Sequence, residues 1–424
     1  MYNSIVFTQS SMKSTFLNEM ESRGYLNQCT DLNQLDELCH KKSINAYIGF
    51  DCTAKSLHVG SLLQIMVLRL LQKHGHRPII LLGGGTTLIG DPSGKDSTRK
   101  ILKYGDIKKN IKSIKNNFLN LLDFKNKKTK PIFIDNYKWL GKLNYINFLR
   151  NIGSQFTLNK MLTFESVKSR LDREQSLSYM EFNYMILQAY DFYKLNQEKD
   201  CSLQMGGSDQ WGNIINGVEL IRKISKREAY GLTTPLITLS SGAKMGKTEK
   251  GAVWLNKSLF SPYEYWQFWR NTEDNDVVRF LKFFTDIKMK DLEKLINQEK
   301  DINKLKIILA NQATKILYDE KTSKKAETTA KETFGSKKIS KNLPIINIGK
   351  ELVNKGVSIL DLFTENKILS SKGEVRRAIA NKGIKINDKI LDDDKKVIFI
   401  QDFQRNDYIK ISFGKKKHYL LKIN

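Results

Sequence analysis

The stretch A-Y-I-G-F-D-C-T-A-K-S-L-H-V-G-S-L-L-Q-I-M-V-L-R-L-L, from Ala46 to Leu71, decides the fold. Ala46 to Phe50 is an apolar run of the length expected of a buried strand. Asp51 to Ser56 break it, and from Leu57 onward apolar residues crowd round a helix buried over most of its surface. Strand, short turn and helix open a nucleotide-binding α/β unit, and the helix N-terminus so created favours an anion. His58, Gly60 and Ser61 stand at that helix start. Taken alone, H-V-G-S fits a packing histidine better than a ligand-binding one.

Outward from this unit, Pro78 to Leu82 reads as a second strand, running into a glycine loop at Gly83–Thr87 and then Gly90 to Lys95. The loop lacks the spacing of a Walker loop or a dinucleotide fingerprint, and by itself reads as a turn. Pro131 to Ile134 reads as a third strand, ending at Asp135, Asn136, Tyr137, Lys138 and Trp139. Glu181 to Tyr193 reads as a helix in which Tyr184, Gln188 and Asp191 fall at i, i+4 and i+7 and share a face. Buried, those polar ends need partners, either within the protein or on a polar ligand. A fourth strand, Ser202 to Met205, feeds the turn Gly206–Asn213 and a helix to about Lys223. Ser240 to Thr248 then carries Lys244, Met245, Gly246 and Lys247, which bare of context is a surface loop.

The chain has 424 residues, enough for two or three domains. Its 71 Lys and Arg against 45 Asp and Glu leave a net charge of +26, which suits a polyanionic partner. Lysine is abundant throughout, so compositional bias competes with that reading. Lys100 to Lys130 holds ten lysines against Asp106 and Asp123, with Ile107, Ile111, Ile114, Phe118, Leu121 and Leu122 at helical spacing. One face should pack; the other is a solvated surface or a track for a phosphate backbone. Cys29, Cys39, Cys52 and Cys201 show no paired spacing, which predicts reduced thiols and no structural zinc. No apolar run is long enough to span a bilayer. Met1 to Ser14 reads as a disordered leader, with a targeting peptide or a start at Met12 as alternatives.

Jointly these motifs are specific. H-V-G-S followed some two hundred residues later by K-M-G-K-T resembles the paired signatures of class I aminoacyl-tRNA synthetases. Y-I-G-F-D at Tyr47–Asp51, G-D-P-S-G-K at Gly90–Lys95, Y-M-I-L-Q-A-Y-D at Tyr184–Asp191 and G-G-S-D-Q-W-G-N at Gly206–Asn213 are similar to the tyrosyl type of bacteria and organelles. The resemblance runs in order from about Gly24 to the C-terminus. It implies an α/β fold: a Rossmann-like parallel-sheet catalytic domain with a dimer-forming insertion at 1–250, and a helical anticodon-stem domain at 251–325. A linker at 326–350, its edge in the lysine-rich stretch Lys321–Lys341, and a small C-terminal α+β RNA-binding domain at 351–424 would follow. In that last module Leu360, Leu362, Phe363, Val375, Ala378 and Ile379 are expected to supply helical apolar faces, and Lys415 to Lys417 a basic tail.

It further implies that tyrosine and ATP condense to tyrosyl-adenylate and that the tyrosyl group passes to the terminal ribose of tRNA(Tyr). Tyr47 and Asp191 match the residues that bind the phenolic hydroxyl, and Asp91, Tyr184 and Gln188 those round the α-amino group. Gln210 lies where the carboxylate and ribose are contacted, and Asn136 joins the tyrosine set. Gly49, Asp51, Thr53, His58, Gly60, Ser61, Gly206, Asp209 and Lys247 fall on the ATP side, and Thr86 lines the tyrosine site. His58, Lys95, Arg99, Lys244, Lys247 and Thr248 match the groups that act on the phosphates. Lys372, Arg376, Arg377 and Lys382 would present a basic helix to RNA. ATP as substrate, Mg2+ arriving with it, no protein-bound metal, a homodimer, no membrane and a cytoplasmic location complete the expectation.

Two departures stand out. Ser61 replaces the usual second histidine, and Gly246 replaces the commoner serine of K-M-S-K-S. A retired RNA-binding protein on the same fold, or the tryptophanyl sister enzyme, are the competing readings; retention of Tyr47, Asp191, Lys244 and Lys247 opposes the first.

Overall fold

The structure, a computed structural model, describes residues 12–91, 102–242, 245–248, 251–335, 343–403, 408–414 and 417–424. Two compact units share the chain: 12–242 with Val278–Leu295, and Met245–Val277 with Ile296–Asn424.

The first unit is built on a six-stranded sheet. Its strands are β1 (Gln28–Cys29), β2 (Asn45–Phe50), β3 (Arg77–Leu82), β4 (Ile132–Asp135), β5 (Cys201–Gly207) and β6 (Tyr230–Thr234). They lie in the order β1-β6-β5-β2-β3-β4, all parallel except β1 against β6. Parallel strands covered on both faces must be apolar throughout, which is why β3 reads P-I-I-L-L and buries each of those residues. Strand order reverses between β2 and β5, and ligands of such folds bind beyond the carboxyl ends at that reversal.

Helix α1 (Val59–Lys73) follows β2, with the His58 side chain as its N-cap. Helix α2 (Tyr104–Lys115) buries Ile107, Ile111 and Ile114, and the next turns bury Phe118, Leu121 and Leu122. A single turn, α3 (Tyr137–Leu140), follows β4. Helices α4 (Tyr184–Lys199) and α5 (Trp211–Ser225) pack on each other, with Phe192 of α4 beside Gly217 of α5.

The helix expected from Glu181 begins instead at Tyr184. Ser178 and Glu181 form a capping box on a separate short turn, Tyr179–Phe182. Two strands went unread. β1 has only two residues, and β6, Y-G-L-T-T, is wholly buried yet carries a glycine and two threonines that hide its apolar character.

In the second unit α6 (Pro262–Arg270), α7 (Ile302–Leu317) and α8 (Glu320–Gly335) pack together. A side-chain relay ties them: Trp266 Nε1 donates to Asn311 Oδ1 at 2.7 Å, and Asn311 Nδ2 donates to Glu327 Oε2 at 2.8 Å. The lysine-rich stretch read as the edge of a linker is therefore helix α8, which buries Ala326, Ala330, Ser323 and Thr329 among its charges. Alanine, serine and threonine fill the buried side, so no strong apolar stripe advertised the helix.

The C-terminal module is a five-stranded sheet of Lys389–Ile390, Ile384–Ile386, Tyr408–Phe413, Lys417–Ile423 and Ile345–Ile348, in that spatial order. Its core holds Leu360, Leu362, Phe363, Val375, Ala378 and Ile379, the residues expected to supply the helical faces. Ile345–Ile348 belongs to this sheet, so the module starts before 351, and Lys417 opens a strand rather than ending a basic tail.

Candidate active site

Beyond the carboxyl ends of β2, β3 and β4 the chain closes round one carboxylate. Asp191 points from α4 and is 2% exposed. Asn136, just past β4, donates from Nδ2 to Asp191 Oδ2 at 2.8 Å, and Trp139 of α3 donates from Nε1 to Oδ1 at 2.7 Å. Asn136 is itself fixed, accepting from Gly85 N at 2.7 Å and lying 3.0 Å from Thr86 Oγ1. The turn passes close to a side chain here: a Cβ on Gly84 would stand 2.1 Å from Asp135 Oδ1, displacing an oxygen that accepts from Tyr137 N at 2.9 Å. Burial drives the Asp191 carboxyl up to about 7, against the pull of its two donors and with some help from the charge of Asp135.

Tyr47 faces the same region from β2, 1% exposed, its ring tilted against Phe192 at 5.3 Å. Among the described residues its hydroxyl has no hydrogen-bond partner. Burial first, and then the nearby Asp191 charge, push that hydroxyl well above its ordinary range. A buried polar atom left alone is costly, of the order of 1–3 kcal/mol, and calls for a partner.

Next to this pocket lies a chain of amides. Gln210 Nε2 donates to Asp91 Oδ2 at 2.9 Å, Gln188 Nε2 to Gln210 Oε1 at 3.3 Å, and Asn213 Nδ2 to Gln188 Oε1 at 3.1 Å. Gln188 and Asp191, expected to share a helix face, thus serve two separate networks, while Tyr184 is buried on the same helix. Trp139 and Asn213 were not among the residues singled out, although both stand in the quoted motifs. Trp139 follows the carboxyl end of a parallel strand, and Asn213 lies one helical turn after Gln210; these were the signals available.

On the nucleotide side His58 Nδ1 accepts from Gly60 N at 2.9 Å, capping α1. With Nδ1 accepting, a neutral imidazole carries its proton on Nε2. Gly49 is exposed with open space where a Cβ would lie; Asp51 and Ser61 are half-buried, Thr53 and Asp209 exposed, Gly206 buried. Lys95, Arg99 and Lys244 lie outside the described residues. Lys247–Thr248 falls in the second unit, as a two-residue strand paired with Gly251–Ala252. Gly246 precedes it at φ 87°, the left-handed region where serine would be strained, so glycine in place of the commoner serine matches the local backbone.

On helix α9 (Lys372–Ala380), Lys372 pairs with Asp361 at 2.5 Å and Arg376 with Asp394 at 3.2 Å, while Arg377 and Lys382 are exposed. Among the described residues no group of three His, Cys, Asp or Glu could hold a metal ion.

Residues 40–335 match the family model of class I tRNA synthetases for tryptophan and tyrosine, and 336–421 match that of the tyrosine–tRNA ligase C-terminal domain. The chain is 59% identical over 403 residues to the tyrosine–tRNA ligase of Pelagibacter ubique, covering 95% of this chain and 98% of that protein. The chain belongs to the class I tyrosine–tRNA ligases. Another member of this family, from Rickettsia felis, is 50% identical over 96% of this chain and the whole of that protein. Among solved structures of the family, a C-terminally truncated mitochondrial tyrosyl-tRNA synthetase of Aspergillus nidulans is similar at 28% identity and a TM-score of 0.68. That match covers 75% of this chain and 94% of that one.

Proposed function

We propose that the chain activates L-tyrosine with ATP and transfers the tyrosyl group to tRNA(Tyr). The observation that carries the substrate choice is the unpartnered Tyr47 hydroxyl beside the buried Asp191 carboxyl. A para-hydroxyl arriving between them completes both; phenylalanine would leave both unmet, and the indole of tryptophan has no hydroxyl to offer. Asn136 and Trp139 act as positioning residues, holding the carboxylate where that hydroxyl must lie. Asp91, Gln188 and Gln210 offer a carboxylate and amides to the ammonium and carboxylate of the amino acid.

The reaction needs no covalent nucleophile from the protein. A tyrosine carboxylate oxygen forms a bond to the α-phosphorus as the bond to pyrophosphate breaks; later a ribose hydroxyl of the tRNA attacks the carbonyl and AMP leaves. What remains is to align the two substrates and stabilise developing charge. His58, with its proton on Nε2, donates to a phosphate oxygen at a helix N-terminus. Lys95, Arg99, Lys244 and Lys247 supply positive charge as pyrophosphate leaves, and Mg2+ travels in on the ATP phosphates.

The chain works as a homodimer in the cytoplasm. Support for the dimer is an exposed apolar surface at 145–180, where Tyr145, Ile146, Leu158 and Tyr179 are 57–68% exposed. No helix among the described residues is long and apolar enough to cross a membrane. Pyrophosphate–ATP exchange tests the function with tyrosine, phenylalanine and tryptophan supplied in turn. Exchange dependent on tyrosine alone is expected, and exchange driven by tryptophan instead would overturn the assignment.

A further inference from the structure

Helix α2 carries a stripe that tyrosine activation does not use. Tyr104, Lys108, Lys112 and Lys115 project along one side of it, flanking the buried side formed by Ile107, Ile111 and Ile114. The lysines are exposed, and among the described residues the one ion pair on this helix joins Lys109 to Asp106. Aromatic rings run through the same stripe. Tyr104 stacks on Tyr137 of α3 with ring centroids 3.8 Å apart and planes at 25°, Lys108 Nζ sits 4.9 Å from the Tyr104 ring, and Lys115 Nζ sits 5.5 Å from the Phe133 ring of β4. Tyr137 is also the neighbour of Asn136, whose amide holds Asp191. The aromatic end of the stripe therefore lies at the rim of the tyrosine pocket, and the charged end leads away from it.

Lysines spaced along a groove or helix follow a sugar–phosphate backbone, and flat half-exposed rings take unstacked bases; together they are the chemistry of single-stranded nucleic acid binding. A merely solvated lysine face has no use for a stacked tyrosine pair at its end. A duplex keeps its bases stacked inside and would leave those rings without a partner. We infer that the Lys108–Lys112–Lys115 stripe and the Tyr104–Tyr137 stack form the track that guides the single-stranded 3′ end of the tRNA to the tyrosine pocket. This rests on the tRNA-charging function proposed above.

The test compares the full-length wild type with the triple variant Lys108→Ala/Lys112→Ala/Lys115→Ala and with Tyr104→Leu and Tyr104→Phe. It uses transcribed tRNA(Tyr), intact or lacking its last four nucleotides. Tyrosine-dependent pyrophosphate exchange should stay within about twofold in every variant, since none of these side chains belongs to the set proposed to bind the amino acid or ATP; loss of exchange in the wild type would instead count against the function itself. In the triple variant the slope of log affinity against log salt should flatten by about 2, at roughly 0.7 per phosphate on a single strand. Tyr104→Leu should weaken intact tRNA about tenfold, with Tyr104→Phe restoring it. The wild type should prefer intact over truncated tRNA, and the variants should lose that preference. An unchanged salt slope, or equal weakening of intact and truncated tRNA, would overturn the proposal, the second result assigning the lysines to a duplex arm.

Discussion

Around Asp191 the chain surrounds one carboxylate with buried donors and apolar rings, whereas around His58 it offers a helix N-terminus and exposed glycine backbone. Among the described residues the first region leaves the Tyr47 hydroxyl unmet. The second is a helix N-terminus that favours an anion. Desolvation makes each missing hydrogen bond expensive in the first, so under the function proposed above it selects; the second is proposed to act on the phosphates, so it accelerates. Substitutions in the two regions should therefore separate binding from rate.

The largest effect is expected from Asp191→Ala. It removes the acceptor shared by Asn136 and Trp139 and the partner proposed for the substrate hydroxyl. The specificity constant for tyrosine in pyrophosphate exchange should fall about 1000-fold, or about 4 kcal/mol, and folded stability by about 2 kcal/mol. Calorimetric tyrosine titration of protein that retains a cooperative melt separates the two losses. A variant that binds tyrosine normally would remove Asp191 from the pocket. Lys247→Ala should cost about 100-fold in the rate of adenylate formation while changing the tyrosine dissociation constant by less than threefold. Pre-steady-state kinetics reads both quantities, and parallel losses would deny Lys247 its transition-state role.

Next in size is a dependence on pH. The carboxyl of Asp191 stands at about 7 in the folded chain because burial penalises its charge, against an ordinary value near 3.8. A raised folded value means that the native state holds the proton more tightly. Its contribution to stability is full below about pH 4 and disappears as the pH rises through 7. Denaturant unfolding at pH 5 and pH 7.5 should show the wild type losing stability relative to Asp191→Asn. Asparagine lowers stability at both values, because its own NH2 confronts the donors of Asn136 and Trp139, but it cannot titrate. Identical pH slopes in both proteins would show that the carboxylate stays ionised throughout.

How much of this could be read from the chain follows the same division. The β2–α1 unit, four of the five parallel strands and the core of the C-terminal module were legible, because each is a contiguous run whose periodicity is its own. The i, i+4, i+7 spacing put Tyr184, Gln188 and Asp191 on one helix, yet could not reveal that Gln188 turns to Gln210 and Asn213 while Asp191 turns to Asn136 and Trp139. Those partners come from other segments, and only the sheet order brings them together. Helix α8 escaped because small polar residues fill its buried side, and β6 because glycine and threonine interrupt it. The family resemblance pointed to Asp191 but not to Trp139, which donates to its carboxylate.

The smallest effect is the sharpest test of the comparison, because its two readouts should move in opposite directions. Tyr47→Phe removes a hydroxyl that is buried and has no partner among the described residues. The ring keeps its contact with Phe192, so packing is retained. Relieving an unmet polar group should raise stability by about 1 kcal/mol, seen as a higher unfolding midpoint at unchanged denaturant slope. The same change takes one of two partners from the substrate hydroxyl, so tyrosine should bind about tenfold more weakly while phenylalanine binds as before or better. Asp191 keeps both of its own donors, so the weaker binding cannot be charged to a disturbed carboxylate. A fall in stability together with unchanged discrimination would mean that the Tyr47 hydroxyl serves the fold, and the pocket would then have to recognise its substrate through Asp191 alone.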